Sequence, residues 1–432
     1  MRIIQLTPGT GYFHCGSCLR DNTLVNALRR LGHDAMMLPM YLPHVVDEEE
    51  AADGMPIFFG GISLYLQQKS GLFRLLPDWA DRALSTPGLL KRAAARSGMT
   101  SAKDLGELTI SMLHGEDGHQ HKQLAALIDW LKQQQPIDVV CLSNLLLAAL
   151  AKPIKRELNV PVACTLQGED SYLDGLSEPY RSEAWDLVGR ALRHADTLIA
   201  VSHYYANVLQ KRIAFSQPIH VVHNGIQTDR YPPAPAEPNP PAIGYLARMC
   251  EAKGLGTLLE AFILLKQRNT IPNLQLRIAG SMTAPDQSYV QSLRRRLAEA
   301  GYEADAIFQP NLDHAQKIAH LQSLSVFSVP ATYGESFGLY VLEALACGVP
   351  VIQPRHAAFV ELLEALGGGV LCDPNNPAAL ADGLQQLLID PELASRLALQ
   401  GRKMVMERFT ADRMANDVAR LLQQISRTST AL

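Results

Sequence analysis

Residues 2–40 read RIIQLTPGTGYFHCGSCLRDNTLVNALRRLGHDAMMLPM, and the order of patterns in this stretch decides the fold class. Residues 2–7 form a short apolar run that predicts a strand. A turn-rich loop with Pro8, Gly9, Gly11 and Gly16 follows. The next segment sets Leu24, Leu28 and Leu31 at i, i+4 and i+7, a helical stripe that stops at Gly32. Residues 35–40 are a second strand-like run. Strand, loop, helix, strand implies an α/β protein with a parallel sheet and right-handed crossovers.

Outward from there the alternation breaks and then resumes. Residues 47–122 carry an acidic run at 47–50, many Gly and Pro, and a helical piece at 89–96. This predicts a mostly helical insertion on the first domain. Strand-like runs return at 137–142, 160–166, 197–201 and 219–222. The stretch Tyr231-Pro-Pro-Ala-Pro-Ala-Glu-Pro-Asn-Pro-Pro241 reads as an extended linker, because proline disfavours both helix and central strand. A second alternation follows, with strands expected at 242–247, 274–279, 306–309, 326–330, 349–353 and 369–372. The chain thus divides into a domain at 1–230, a linker at 231–241, a second domain at 242–405, and a helical tail at 406–432 that can cross back to the first. Two doubly wound, Rossmann-like domains facing each other across a cleft would hold a ligand at the carboxyl ends of both sheets.

Composition narrows the class. With 432 residues, 47% hydrophobic and 19% charged, the chain has the profile of a soluble globular protein of two or three domains. A net charge of −4 and a pI near 6.4 leave no global basic field for nucleic acid. The opening MRIIQLTPG has no apolar core of signal-peptide length before Pro8 and Gly9. The run at 142–151, broken by Asn144, is roughly half a membrane span. Seven scattered cysteines do not form a disulfide framework. The expectation is a cytoplasmic enzyme.

The strongest chemical signal is Gly334-Glu335-Ser336-Phe337-Gly338-Leu339-Tyr340-Val341-Leu342-Glu343-Ala344-Leu345-Ala346-Cys347-Gly348. It predicts a buried helix over 337–347 behind a strand. An ionised Glu343 in that helix needs partners, and ribose hydroxyls suit it, since a carboxylate accepts two donors at once. Glu335 precedes the helix, whose free N–H groups and dipole favour an anion, and Gly338 allows close approach to the backbone. The blander reading makes Glu335 a dipole partner and gives Glu343 a buried basic partner. A second signal, Gly244-Tyr245-Leu246-Ala247-Arg248-Met249-Cys250-Glu251-Ala252-Lys253-Gly254, sets two cations at a strand-to-helix turn, where they suit a leaving diphosphate.

Together, the Glu-x7-Glu segment, the Gly-x-Leu-x-Arg…Lys-Gly turn, Leu276-Arg277-Ile278-Ala279-Gly280 and Val221-Val222-His223-Asn224-Gly225-Ile226 resemble glycosyltransferase family 4. These motifs span essentially all of residues 190–375. The resemblance implies the GT-B fold and a retaining, hexosyltransferase-type enzyme that moves a sugar from a UDP- or GDP-sugar to a glycan, lipid or small-molecule acceptor. It implies that Arg248 and Lys253 stabilise the diphosphate, Glu335 the donor sugar and Glu343 the ribose, with Ser336, Phe337, Gly338, Leu339, Gly280 and Gly16 as donor-binding positions. It implies neither cofactor nor metal, because basic side chains and a helix dipole neutralise the leaving group. Two departures stand out. Gln167 in Thr165-Leu166-Gln167-Gly168-Glu169-Asp170 replaces an expected His, leaving Asp170 or Glu169 to take part of its role. His356-Ala357-Ala358-Phe359-Val360-Glu361 lacks the usual glycine pair.

Other features have weaker claims. Cys15-x-x-Cys18 invites redox chemistry, but small apolar packing suits both thiols better. His114, His119 and His121 beside Glu116 and Asp117 invite a metal, although such a loop is usually solvated. Phe73, Leu75, Leu76 and Trp79 suggest weak peripheral membrane contact, with buried packing as the alternative. Two other functions fit the same motifs: a nucleotide-sugar epimerase, and a non-catalytic sugar-nucleotide-binding module. The acceptor and oligomeric state are not legible.

Overall fold

Strands β1 (Arg2–Thr7), β2 (Asp34–Pro39), β3 (Val139–Leu142), β4 (Val162–Leu166), β5 (Thr197–Ala200) and β6 (Ile219–Val221) form one sheet in the order β2-β1-β3-β4-β5-β6. Every pairing in it is parallel. The computed structural model describes residues 1–9, 16–42, 50–52, 54–59, 102–215 and 217–430. The chain divides into two units, residues 1–223 with 414–432, and residues 224–413.

In the first unit β1, β3, β4 and β5 are buried on both faces because helices cover both faces of a parallel sheet. Ile4, Leu6, Val140, Leu142, Val162, Cys164 and Leu166 face one core with residues of the helices Ala102–Leu113, His121–Gln133 and Tyr180–Leu192. The opposite face carries Gln5 and Thr7, and the buried Thr7 hydroxyl donates to the Cys18 thiol (3.6 Å) of the helix Gly16–Arg30. Strand order reverses between β1 and β3, which opens a crevice at their carboxyl ends.

The second unit holds β7 (Ala242–Leu246), β8 (Gln275–Gly280), β9 (Ala306–Pro310), β10 (Val326–Phe327), β11 (Val351–Pro354) and β12 (Gly369–Cys372), ordered β12-β11-β10-β7-β8-β9. This is the order of a dinucleotide-binding Rossmann sheet, with its reversal between β7 and β10. Most expected strand ends shift by one or two residues, and two boundaries shift for a specific reason. Regular pairing in the run at 326–330 stops at Phe327, because Pro330 has no N–H and the Val329 N–H donates to the Gln353 side chain at 3.3 Å. The helix expected at 337–347 spans Leu339–Ala346, because Gly338 takes a left-handed φ of 93° and starts it late.

The proline-rich stretch lies within the second unit and is anchored to it: the Gln322 side chain donates to the Pro232 carbonyl at 3.0 Å, and the Ala234 N–H to the Cys347 carbonyl at 3.2 Å. Of the expected insertion at 47–122, the helix Ala102–Leu113 and the turn Gly115–Asp117 are described. The piece at 89–96, with Phe73, Leu75, Leu76 and Trp79, lies outside the described residues, as does Cys15. The six described cysteines are free thiols, and among the described residues no helix is long and apolar enough to cross a membrane.

Candidate functional site

The reversal between β7 and β10 explains how residues some eighty positions apart meet. Arg248 and Lys253 follow β7, and Tyr333 and Glu335 follow β10. Gly254 sits at φ 72°, where an added Cβ would lie 1.8 Å from the Pro330 carbonyl oxygen. Only glycine lets the first turn press onto the end of β10. Lys253 Nζ consequently lies 2.5 Å from Glu335 Oε2 and also donates to the Tyr333 hydroxyl. Glu335 Oε2 accepts further from the Tyr340 hydroxyl at 2.9 Å and the Tyr333 hydroxyl at 3.0 Å. Burial by itself would raise the Glu335 pKa, but the Lys253 charge and these hydrogen bonds outweigh it and hold the carboxyl below its ordinary value.

Asp286 fixes Arg248. Its carboxylate takes Arg248 Nη2 at 2.9 Å and Nε at 3.1 Å, a side-on fork. A capping box with Thr283 orients Asp286, whose Oδ2 accepts from the Thr283 N–H and hydroxyl at 2.9 and 2.6 Å. Burial pushes the Asp286 carboxyl upward, and the Arg248 and Thr283 hydrogen bonds pull it below its ordinary value. Arg248 Nη1 has no partner among the described residues, and the side chain is half exposed.

Glu343 is buried inside its apolar helix. Its Oε1 accepts from the Tyr231 hydroxyl at 2.7 Å and from Lys317 Nζ at 3.1 Å, and Lys317 also donates to Tyr231 at 3.2 Å. A buried basic partner therefore exists, as the blander reading held. It occupies one oxygen only. Neither Glu343 Oε2 nor Glu335 Oε1 accepts a hydrogen bond among the described residues, and neither is a sealed, unpartnered atom, so each reaches solvent.

Ser336 and Phe337 are buried beside Glu335, and Gly338 caps the helix that begins at Leu339. Gly280 ends β8 at φ 132°. At the position lacking a glycine pair, Ala357 adopts φ 54° and ψ −147°, a conformation that glycine tolerates and alanine does not. The following Ala358 N–H donates to the Glu335 carbonyl at 3.2 Å. Alanine thus holds a glycine-like turn against the backbone of the candidate donor-sugar residue.

In the first unit, Gly16 opens the helix Gly16–Arg30, and Gln167 turns inward at the end of β4. Gln167 Nε2 donates to the Ser143 carbonyl at 2.6 Å and lies 3.4 Å from Asp21 Oδ1, which also pairs with Arg20 at 3.1 Å. Glu169 braces the same turn. Its carboxylate accepts from the Gln167 N–H (3.0 Å), the Gly168 N–H (3.0 Å) and the Tyr205 hydroxyl (3.0 Å), yet burial pushes its pKa up to about 7. Asp170 begins the short helix Asp170–Asp174, and burial raises its pKa too. His114 faces Glu183 at 3.6 Å. Among the described residues no three His, Cys, Asp or Glu side chains converge as a metal site.

Sequence reasoning missed Asp286, Tyr333, Tyr340, Lys317 and the role of Tyr231. Tyr340, five positions after Glu335, lay inside the Glu-x7-Glu segment and Tyr231 at the head of the proline-rich run; the other three lay in neither.

Comparison with known proteins follows the same division. A family model described as glycosyl transferases group 1 matches residues 228–404, and one described as glycosyltransferase family 4 matches residues 108–230. A glycogen synthase of Mycobacterium tuberculosis is 27% identical over 350 residues, covering 78% of this chain and 80% of that protein. Sucrose-phosphate synthase from Thermosynechococcus elongatus superimposes with a TM-score of 0.72 at 18% identity, over 99% of this chain and 100% of that one. Anabaena HepE, solved in complex with UDP and glucose, gives 0.69 at 16%, over 98% and 99%.

Proposed function

Because this chain is a glycosyltransferase of family 4 with the GT-B fold, we propose that it takes a UDP- or GDP-sugar as donor and transfers the sugar with retention of anomeric configuration. The observation that carries the reading is spare hydrogen-bonding capacity. Lys253 uses two of its three N–H donors among the described residues, and Arg248 leaves Nη1 unused. Glu335 and Glu343 each keep one oxygen unpaired there. Two cations with free donors suit a diphosphate; two carboxylates with free acceptors suit sugar and ribose hydroxyls.

The chemistry then follows from charge. Breaking the bond between the anomeric carbon and the diphosphate leaves negative charge on phosphate and positive character on the sugar. In this reading Arg248, Lys253 and the first-turn N–H groups of the helix Leu339–Ala346 stabilise the former. Glu335, in the same reading, orients sugar hydroxyls and favours the latter. These residues supply the neutralisation themselves, so the proposed reaction calls on no cofactor. In the first unit, Gly16 opens the helix after β1 and Asp170 the helix after β4; in this reading Gly16 contacts the donor and Asp170 takes part of the role of the missing His. The HepE complex supports UDP as the first donor nucleotide to try.

Melting-temperature shifts with UDP and GDP test donor binding, since a specific ligand must stabilise the folded state. Proton NMR of the product formed from a matching sugar nucleotide tests retention. An inverted product, or no shift with either nucleotide, ends the reading.

A further inference from the structure

Lys317 and Tyr231 come from the helix His314–Gln322 and from the proline-rich stretch, and the donor-binding reading above assigns neither a task. Both meet at Glu343 Oε1, at 3.1 and 2.7 Å, and Lys317 is itself bonded to the Tyr231 hydroxyl at 3.2 Å. All three side chains are buried. A carboxylate pinned at one oxygen by two mutually bonded donors cannot rotate freely, so its second oxygen has a fixed direction. That second oxygen reaches solvent. The tyrosine is anchored in turn: the Arg402 Nη1 donates to the Tyr231 carbonyl at 3.0 Å, and the His314 ring packs edge-on against the Tyr231 ring.

We propose that Lys317 and Tyr231 are positioning residues, which lock Glu343 at Oε1 and so aim Oε2 at the ribose hydroxyls of the donor. The inference rests on the reading of Glu343 as the ribose contact and adds what makes that contact selective. A freely rotating glutamate could follow any nucleotide conformation. A locked one rewards only a ribose that presents its hydroxyls in one direction. Lys317 then acts on nucleotide selection and not on the bond that breaks.

The test measures binding of UDP and GDP, and of their 2′,3′-dideoxy analogues, by calorimetry. The full-length protein is compared with its Lys317→Met, Lys317→Arg, Tyr231→Phe and Glu343→Gln variants, each checked by circular dichroism. Hydrogen bonds to a charged group predict that the wild type prefers the ribonucleotide by about tenfold or more. Lys317→Met and Tyr231→Phe should shrink that preference to about threefold or less, with dideoxy affinity unchanged, and Lys317→Arg should recover part of it. The donor KM should rise while kcat stays within about twofold, the signature of lost uniform binding. If Lys317→Met does not fold, Tyr231→Phe, which removes one hydroxyl, carries the test. Full discrimination in both variants, or equal weakening of ribo and dideoxy ligands, overturns the positioning role. Full discrimination in Glu343→Gln overturns the ribose reading itself, and the proposal with it.

Discussion

Lys253 and Glu335, separated by 82 positions in the chain, form a partly buried ion pair of 2.5 Å in the loops that follow two adjacent parallel strands. The pair joins the cation proposed for the diphosphate to the carboxylate proposed for the sugar. Each therefore sets the other's orientation before any donor arrives. A carboxylate already committed at Oε2 presents Oε1, and an ammonium already committed to Glu335 and Tyr333 presents its third N–H.

This coupling yields a double-mutant prediction. Lys253→Met leaves Glu335 buried without its counter-charge, and breaking such pairs costs about 3–5 kcal/mol. Glu335→Gln removes the charge that needs compensation. The double variant should be more stable toward urea than Lys253→Met alone. Additive losses in the cycle would show that the two side chains do not interact energetically.

Turnover should separate the two carboxylates. Glu335 is proposed to act where charge develops, so Glu335→Gln should lower kcat by about 10²-fold at saturating donor. Glu343→Gln should chiefly raise the donor KM, because the ribose does not react. Unchanged kinetics in both variants would make these carboxylates structural.

Arg248 offers a matching test on the leaving group. Arg248→Ala should weaken nucleoside diphosphate binding and lower turnover together, by about 2–4 kcal/mol in the transition state. Wild-type kcat/KM in this variant removes Arg248 from the phosphate site.

Ala357 at φ 54° predicts an effect opposite to the usual one. Replacing alanine by glycine ordinarily destabilises through the entropy of the unfolded chain. Here the native conformation strains alanine by about 1–3 kcal/mol, which glycine relieves. Ala357→Gly should therefore raise the melting temperature. A drop would mean that the turn is not strained.

Each expected strand run overlaps a strand, because most of these strands are buried and read as apolar runs between loops and helices. The meeting of the motifs at 244–254 and 334–348 was legible because each occupies one short strand-to-helix turn, and Lys253 of the first pairs with Glu335 of the second. Their partners were not. Asp286 lies 38 residues from Arg248, Lys317 lies 26 from Glu343, and Tyr231 lies 112 from Glu343. No local pattern encodes such contacts, since strand order decides which loop ends become neighbours. Tyr231 was hidden further, at the head of a run of prolines that reads as a spacer although its first side chain is buried.

The last prediction concerns Glu169 and the pH dependence of stability. Burial raises its carboxyl from the ordinary 4.5 to about 7, against the pull of the Gln167 and Gly168 N–H groups and the Tyr205 hydroxyl. Between those values the folded chain keeps a proton that the unfolded chain has lost. Stability then falls as pH rises, since its slope follows the protons bound unfolded minus those bound folded. The contribution is complete below about pH 4.5, declines through the interval, and is gone above about 7. A shift of this size corresponds to about 3 kcal/mol as an upper bound. Glu169→Gln cannot titrate, so it should remove that slope while adding a constant cost for a poorer acceptor. Burial raises Asp21 and Asp170 in the same direction, but both are common to the two proteins and cancel in the comparison. Urea midpoints at pH 5 and pH 8 decide the matter. The wild type should lose more stability between them than Glu169→Gln does, and equal losses would show that Glu169 is already ionised at pH 5 in the folded chain.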